Sequence, residues 1–342
     1  MGRYRHKRKK QKKILIIGSL SLLLFLCVGY AAFSTNLSLK AKGNIKEKTR
    51  VIQAWNDTSQ TDFHSNFYKQ NIVSVTFLDN NNIPSNATES WNVSEDKENG
   101  GVMAWVIPSS SDNAKYDLYI GARGGVIANE DSSYLFYNFR GISNLNFNNN
   151  FDTRNVINMS QMFNNCTSLV QLDLSSFDTR NVTSMYAMFC MWDTDLNAIA
   201  ENKLTSIKFD ENFKTNNVIN MRSMFAGLTE LQFLDLSNFD TSNVTTMYHM
   251  FNNCTSLVQL DLSNFDTSNV IDMESMFLGC SNLSKLNLCS FNTKKVTNMK
   301  WMFQHTSNLE QVLVGLNWSI AQANTSAMFQ YSSVSSVTTG QC

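Results

Sequence analysis

CTSLVQLDLSSFDTRNVTSMYAMF, residues 166–189, is one copy of a unit that recurs through the second half of this 342-residue chain. Its closing pattern, Asn-Val-x-x-Met-x-x-Met-Phe, returns with Met-Phe pairs beginning at Met162, Met188, Met224, Met250, Met276, Met302 and Met328, in steps of 26 residues and one of 36. A period in the twenties predicts stacked units that bury their apolar side only against neighbouring copies. The expected fold class is an α/β solenoid: a right-handed stack of short parallel strands and short helical turns. A function built on such a scaffold is recognition by a long surface.

Within the quoted copy, Leu169, Leu172 and Leu174 have the L-x-x-L-x-L spacing of a leucine-rich repeat, with Leu172 and Leu174 on one side of a strand of period two. Phe177 takes the next inward position. Thr179 or Asn181 is placed to cap a short helical turn, and Val182, Met185, Met188 and Phe189 share one face of it. Leucine-type repeats are expected over 141–317. Residues 318–342 read as a degenerate C-terminal capping copy, in which Trp318 replaces the Phe and only Met328-Phe329 survives. The 36-residue step contains ten extra residues, nine of them in a loop insertion at 190–203. Insertions in repeat arrays project as loops and often carry binding.

LDLSSFDTRNVTSMYAMF (172–189), LDLSNFDTSNVTTMYHMF (234–251) and LDLSNFDTSNVIDMESMF (260–277) resemble the 26-residue repeat of BspA-like leucine-rich-repeat bacterial surface proteins. YDLYIGARGGVIANEDSSYLFYNF (116–139) is similar to what precedes the repeats in that family. The resemblance implies a surface location and, for some members, adhesion to extracellular-matrix or clotting proteins or to other bacteria. No LPxTG-type sorting signal is found, so the expected anchor is N-terminal.

Formal charge is zero, but residues 1–50 hold 13 Lys/Arg against Glu47 alone, a net of +12, which leaves 15 bases and 27 acids, or −12, for the rest. An acidic bulk argues against nucleic acid as a partner. The basic arm 1–13 adjoins 20 uncharged residues, Ile14 to Phe33, which as a helix span about 30 Å, a bilayer core. That segment reads as a transmembrane anchor with the repeats outside, or as a signal peptide cut after Ala31. Leu26 before Cys27 speaks against a lipoprotein. The expected localisation is therefore a single-pass membrane protein with the N-terminus in the cytoplasm, or a secreted or cell-surface protein if the segment is cleaved. Residues 34–61 read as a tether. The stretch 62–140 reads as a small β-rich N-terminal cap, with strands at Ile72–Leu78, 102–107 and 116–120.

No catalytic constellation is visible. His6, His64, His249 and His305 share no triad or metal spacing with Ser, Cys or carboxylates, and no cofactor motif is present; the chain reads as a non-enzyme. Cys166, Cys254 and Cys280 occupy one repeat position, where neighbouring rungs permit either a Cys254–Cys280 disulfide or a buried thiol ladder. Asp173, Asp235 and Asp261 form an outward column on the strand face. If Asp235 and Asp261 lie on adjacent rungs about 5 Å apart, they repel by about 3 kcal/mol at an effective dielectric of 20, which suits a cationic partner or a solvated surface. Asp152, Asp178, Asp240 and Asp266 follow the inward Phe and read as turn-bonding residues. The insertion carries Trp192 beside Asp193 and Asp195. The expected function is binding or adhesion to an extracellular protein or cell-surface ligand, with this loop as anchor and the Asp column as steering. The alternative is a structural or sensory ectodomain at the cell's own envelope.

Overall fold

The computed structural model describes residues 49–55, 61–193 and 198–340. The arm 1–13, the apolar run 14–33 and most of the 34–61 stretch lie outside these residues. Among the described residues no helix is long and apolar enough to cross a membrane. The single-pass localisation with an N-terminal helix therefore finds no support among the described residues.

Strands and turns dominate. A single α-helix, α1 (Asn66–Asn71), is found among the described residues, capped by the Ser65 hydroxyl. The strands are β1 (Ile72–Leu78), β2 (Glu89–Asn92), β3 (Met103–Pro108), β4 (Tyr116–Gly121), β5 (Val126–Ile127), β6 (Asn144–Asn146) and β7 (Phe151–Asp152). They continue with β8 (Gln171–Asp173), β9 (Trp192–Asp193), β10 (Ala198–Ile199), β11 (Ser206–Lys208), β12 (Lys285–Leu288), β13 (Gln311–Val314) and β14 (Thr338–Thr339). One sheet has the order β2-β3-β4-β1-β6, with β1 parallel to both β4 and β6. Through β6 it continues into the repeats. Residues expected in the tether are part of this region: Val51 bridges to Ile127 and Ile52 to Ser94, and Ile52 is buried.

The α/β solenoid is overturned as a class. Among the described residues the repeats carry no helix, and their strands are two to four residues long, mostly in separate small sheets such as β8 with β11, and β12 with β13 and β14. Residues 234–236 and 260–262, read from sequence as strands, have none. Backbone hydrogen bonding explains the missing helix. Val182 N–H donates to Thr179 O, Met188 N–H to Met185 O and Cys190 N–H to Ala187 O, each three residues back, so the segment is a chain of turns. A helix would send amides to the fourth residue back along its own axis. Here alternate amides leave for the next copy: Gln161 N–H to Tyr186 O and Phe163 N–H to Met188 O, at 2.8 and 2.9 Å. Turning them outward requires left-handed backbone before every Met-Phe. Gln161, Ala187, Ser223, His249, Ser275, Trp301 and Ala327 all have φ between 50° and 58°, a conformation that interrupts any helix.

The inward residues are those the repeat frame picks out. Val182, Met185, Met188, Phe189 and Phe177 are fully buried. The rings of Phe163, Phe189, Phe225, Phe251, Phe277, Phe303 and Phe329 stack in one file, with centroids 5.3–5.9 Å apart and nearly parallel planes. That file begins one copy earlier than the Met-Phe pattern, at Phe136, 5.9 Å from Phe163. Asp131 bridges to Asn158 as later copies bridge to one another.

Two polar ladders explain the constant Thr and Asn. Buried Thr215 and Thr267 each donate to a carbonyl of the next copy, Asp240 O and Asn292 O, and accept that residue's N–H in return. Asn181, Asn217, Asn243 and Asn269 reach back to Arg154 O, Arg180 O, Asn216 O and Ser242 O at 2.7–2.8 Å. Neither residue caps a helix; both bond copy to copy.

Candidate interaction surface

The acidic column is exposed, but its carboxylates bind their own turns. Asp173 Oδ1 accepts Ser175 N–H at 2.9 Å, Asp235 accepts Ser237 N–H at 3.0 Å and Asp261 accepts Ser263 N–H at 2.9 Å. These Ser amides hold Asp235 and Asp261 below the ordinary carboxylate range. Partial burial pushes Asp173 upward, yet Ser175 and Lys208 outweigh it and leave it lowered. Lys208 Nζ lies 3.2 Å from Asp173 in the neighbouring copy, so the column is not purely acidic. Nor does one continuous strand face carry it, since no strand forms around Asp235 or Asp261. The same face presents Phe233, 62% exposed, which the repeat pattern hides because the other copies have polar residues there. Asp240 and Asp266 accept Ser242 and Ser268 N–H, and Asp152 and Asp178 accept Arg154 and Arg180. These four are turn residues.

The insertion opens as a short antiparallel ribbon, β9 with β10. Its base is fastened by Ala200 N–H to Met191 O and by Asn202 Nδ2 to Gly227 O, both at 2.8 Å. Trp192 is 38% exposed, and its carbonyl accepts Asn165 Nδ2. The Asp193 side chain and Asp195 lie outside what the structure describes.

The thiols are a buried ladder. Cys166, Cys254 and Cys280 are free, and donate to Phe136 O, Phe225 O and Phe251 O of the preceding copies. Burial pushes Cys166 and Cys280 up to about 12 and Cys254 well above its usual value, which removes the thiolate that reactivity needs. Among the described residues no group of three or more His, Cys, Asp or Glu is placed to hold a metal ion.

A different column joins chemically distinct side chains. The position two before each Met-Phe Met carries Ser160, Tyr186, Arg222, Tyr248, Glu274, Lys300 and Ser326, brought onto successive copies by the turn ladder. The Arg222 guanidinium lies 4.2 Å from the Tyr248 ring centroid and 5.9 Å from that of Tyr186. His249 stacks on Tyr248 at 3.8 Å, and Lys300 Nζ stands 3.5 Å from the Trp301 centroid. Aligning the copies on Met-Phe shows this position varying within a constant frame, which is the sequence signal that could have found it. Tyr, Trp and Arg are the residues most enriched in binding hot spots.

Burial lowers His249 to about 4, with Arg222 adding to the fall and Glu274 opposing it. The unfolded chain, near 6.5, therefore takes up a proton between pH 6.5 and 4 that the folded protein refuses. Stability is full above 6.5 and falls as pH drops through that window, by up to about 3 kcal/mol. Melting of wild type and His249→Asn, which keeps a side chain tolerant of positive φ, should show a steeper slope in wild type by the His249 contribution. Equal slopes would mean that His249 is not the group responsible.

No curated protein matches this chain, and no solved structure does. Residues 130–232 and 219–339 match the family described as "Mycoplasma protein of unknown function, DUF285". The two matches start at the first stacked copy and together cover more than half of the sequence, so the chain belongs to that family.

Proposed function

We propose that this protein is a recognition module, with adhesion to a macromolecular ligand as its most direct use, and that it performs no catalysis. The observation that carries the reading is Arg222 held between Tyr186 and Tyr248. A guanidinium lying against a ring is partly desolvated and oriented before a partner arrives, which lowers the ordering cost of binding. The resemblance to BspA-like repeats supports the same class of function.

The experiment screens the full chain against immobilised matrix proteins, intact cells and cell-wall polymers, beside Arg222→Ala and Tyr248→Ala. Each substitution should weaken retention by about 2 kcal/mol, near thirtyfold, without a matching change in melting temperature. Exposed Phe233, two residues before Asp235, favours a second reading, in which the face of the Asp column is the contact. If Phe233→Ser abolishes retention while Arg222→Ala does not, that face replaces the Arg222 column. Retention on none of the surfaces would favour a spacer role.

A further inference from the structure

The turn ladder has a direction. In each copy four alternate amides donate to the copy that follows: Met299, Trp301, Phe303 and His305 N–H to Asn324, Ser326, Met328 and Gln330 O, at 2.9–3.1 Å. The same four positions do so in every earlier copy back to Ser132, Tyr134, Phe136 and Asn138. At these four positions amides point to one end of the column and carbonyls to the other, while one further amide per copy, such as Thr297 N–H to Ile271 O, runs the opposite way. At the carbonyl end, Leu135 O meets His64 Nε2 at 3.1 Å, and Trp55 stacks on Tyr134 at 4.9 Å. That end is covered.

At the other end the corresponding donors are the amides of Thr325, Ala327, Phe329 and Tyr331. Among the described residues no acceptor receives them. β14 pairs with β13 and covers only the strand side. Phe329 closes the ring file half-buried, whereas the earlier Met-Phe rings are fully buried. Beside it lies a cavity of about 300 Å³ lined by Trp318, Ile320, Thr325, Met328 and Val337. Tyr331 is 67% exposed and Ile320 53%.

We infer that this end is a docking edge for a further turn segment of the same kind, supplied by a partner polypeptide. The occupant is specified by what it must match: four carbonyls at alternate residues opposite four amides, and a Phe ring continuing the file beyond Phe329. The interface would repeat the one already formed between every pair of copies, as strand addition does at an open sheet edge. A second copy of this chain cannot supply the segment from its carbonyl end, which His64 and Trp55 cover. The surface is independent of the Arg222 column.

The probe is a synthetic peptide of residues 267–279, TSNVIDMESMFLG, added to the full chain while amide hydrogen exchange is read residue by residue. Exchange at Thr325, Ala327, Phe329 and Tyr331 should slow by about tenfold or more, and a peptide carrying Phe277→Asp should protect none of them. No slowing at these amides overturns the proposal. So does equal protection by inorganic phosphate, which would make the edge a simple anion nest, or protection that rises with protein concentration alone, which would make the occupant a second copy. Because the altered residue is in the peptide, misfolding of the protein cannot imitate a negative result.

Discussion

Replacing Phe251 by Asp should unfold the repeat column, at a cost of several kcal/mol. Phe251 is fully buried, 5.7 Å from Phe225 and 5.8 Å from Phe277, and its amide and carbonyl neighbours bond to the copy on either side. A carboxylate there has no partner, and an unpaired buried charge is among the costliest substitutions known. Since each copy is stable only against its neighbours, the damage should spread along the column. Asp266→Asn is the control. Asp266 accepts Ser268 N–H at 2.8 Å at an exposed site, and Asn can accept the same bond, so the cost should stay below about 1 kcal/mol. Thermal melts of the two variants should differ widely; similar small shifts would show that the ring file does not hold the copies together.

Thr215→Val should cost about 1 to 3 kcal/mol although it hardly changes shape. The Thr215 hydroxyl donates to Asp240 O and accepts Asp240 N–H, both at 2.8 Å, in a position 1% exposed. Valine removes both bonds, each worth about 0.5 to 1.5 kcal/mol net, and water can recover only part of this at Asp240, an exposed residue. Thr183→Val offers the comparison: Thr183 is half-buried, and its hydroxyl donates at 3.3 Å to Ile157 O, a carbonyl that also accepts the Thr183 amide. Its loss should be small. Chemical denaturation of both variants measures the difference. Equal costs would mean that the Thr215 exchange is no stronger than an exposed contact.

The repeat frame and its inward residues were legible in the sequence, because copying preserves spacing and only apolar side chains survive at buried positions. Phe177, Val182, Met185, Met188 and Phe189 can be picked from a single copy, and all are fully buried. What those residues form was not legible. Val182, Met185 and Met188 recur every three residues, a spacing shared by one face of a helix and by a chain of three-residue turns. A helix would also have mixed in steps of four, as 3.6 residues per turn requires, and the strict threes are the trace of the turns. Periodicity of side chains records which way they point and not where the amides go. The amides go to the next copy, and that pairing exists only once the copies are stacked.

The same limit governs the surface. The Asp columns stood out because they repeat, and most of them serve their own turns. Tyr186, Arg222, Tyr248 and Lys300 occupy a position that varies from copy to copy, and Phe233 interrupted a polar position, so sequence reading passed over them. Sequence alone determined the length of the unit, its buried side chains and the place of the insertion, since each is fixed by spacing along one copy. Only the tertiary structure decided that the units are turns, that Arg222 meets Tyr248, and that four amides at Thr325, Ala327, Phe329 and Tyr331 are left facing outward. Each of these depends on which residue of one copy lies against which residue of the next, a distance across 26 or 36 positions of chain that no local pattern encodes.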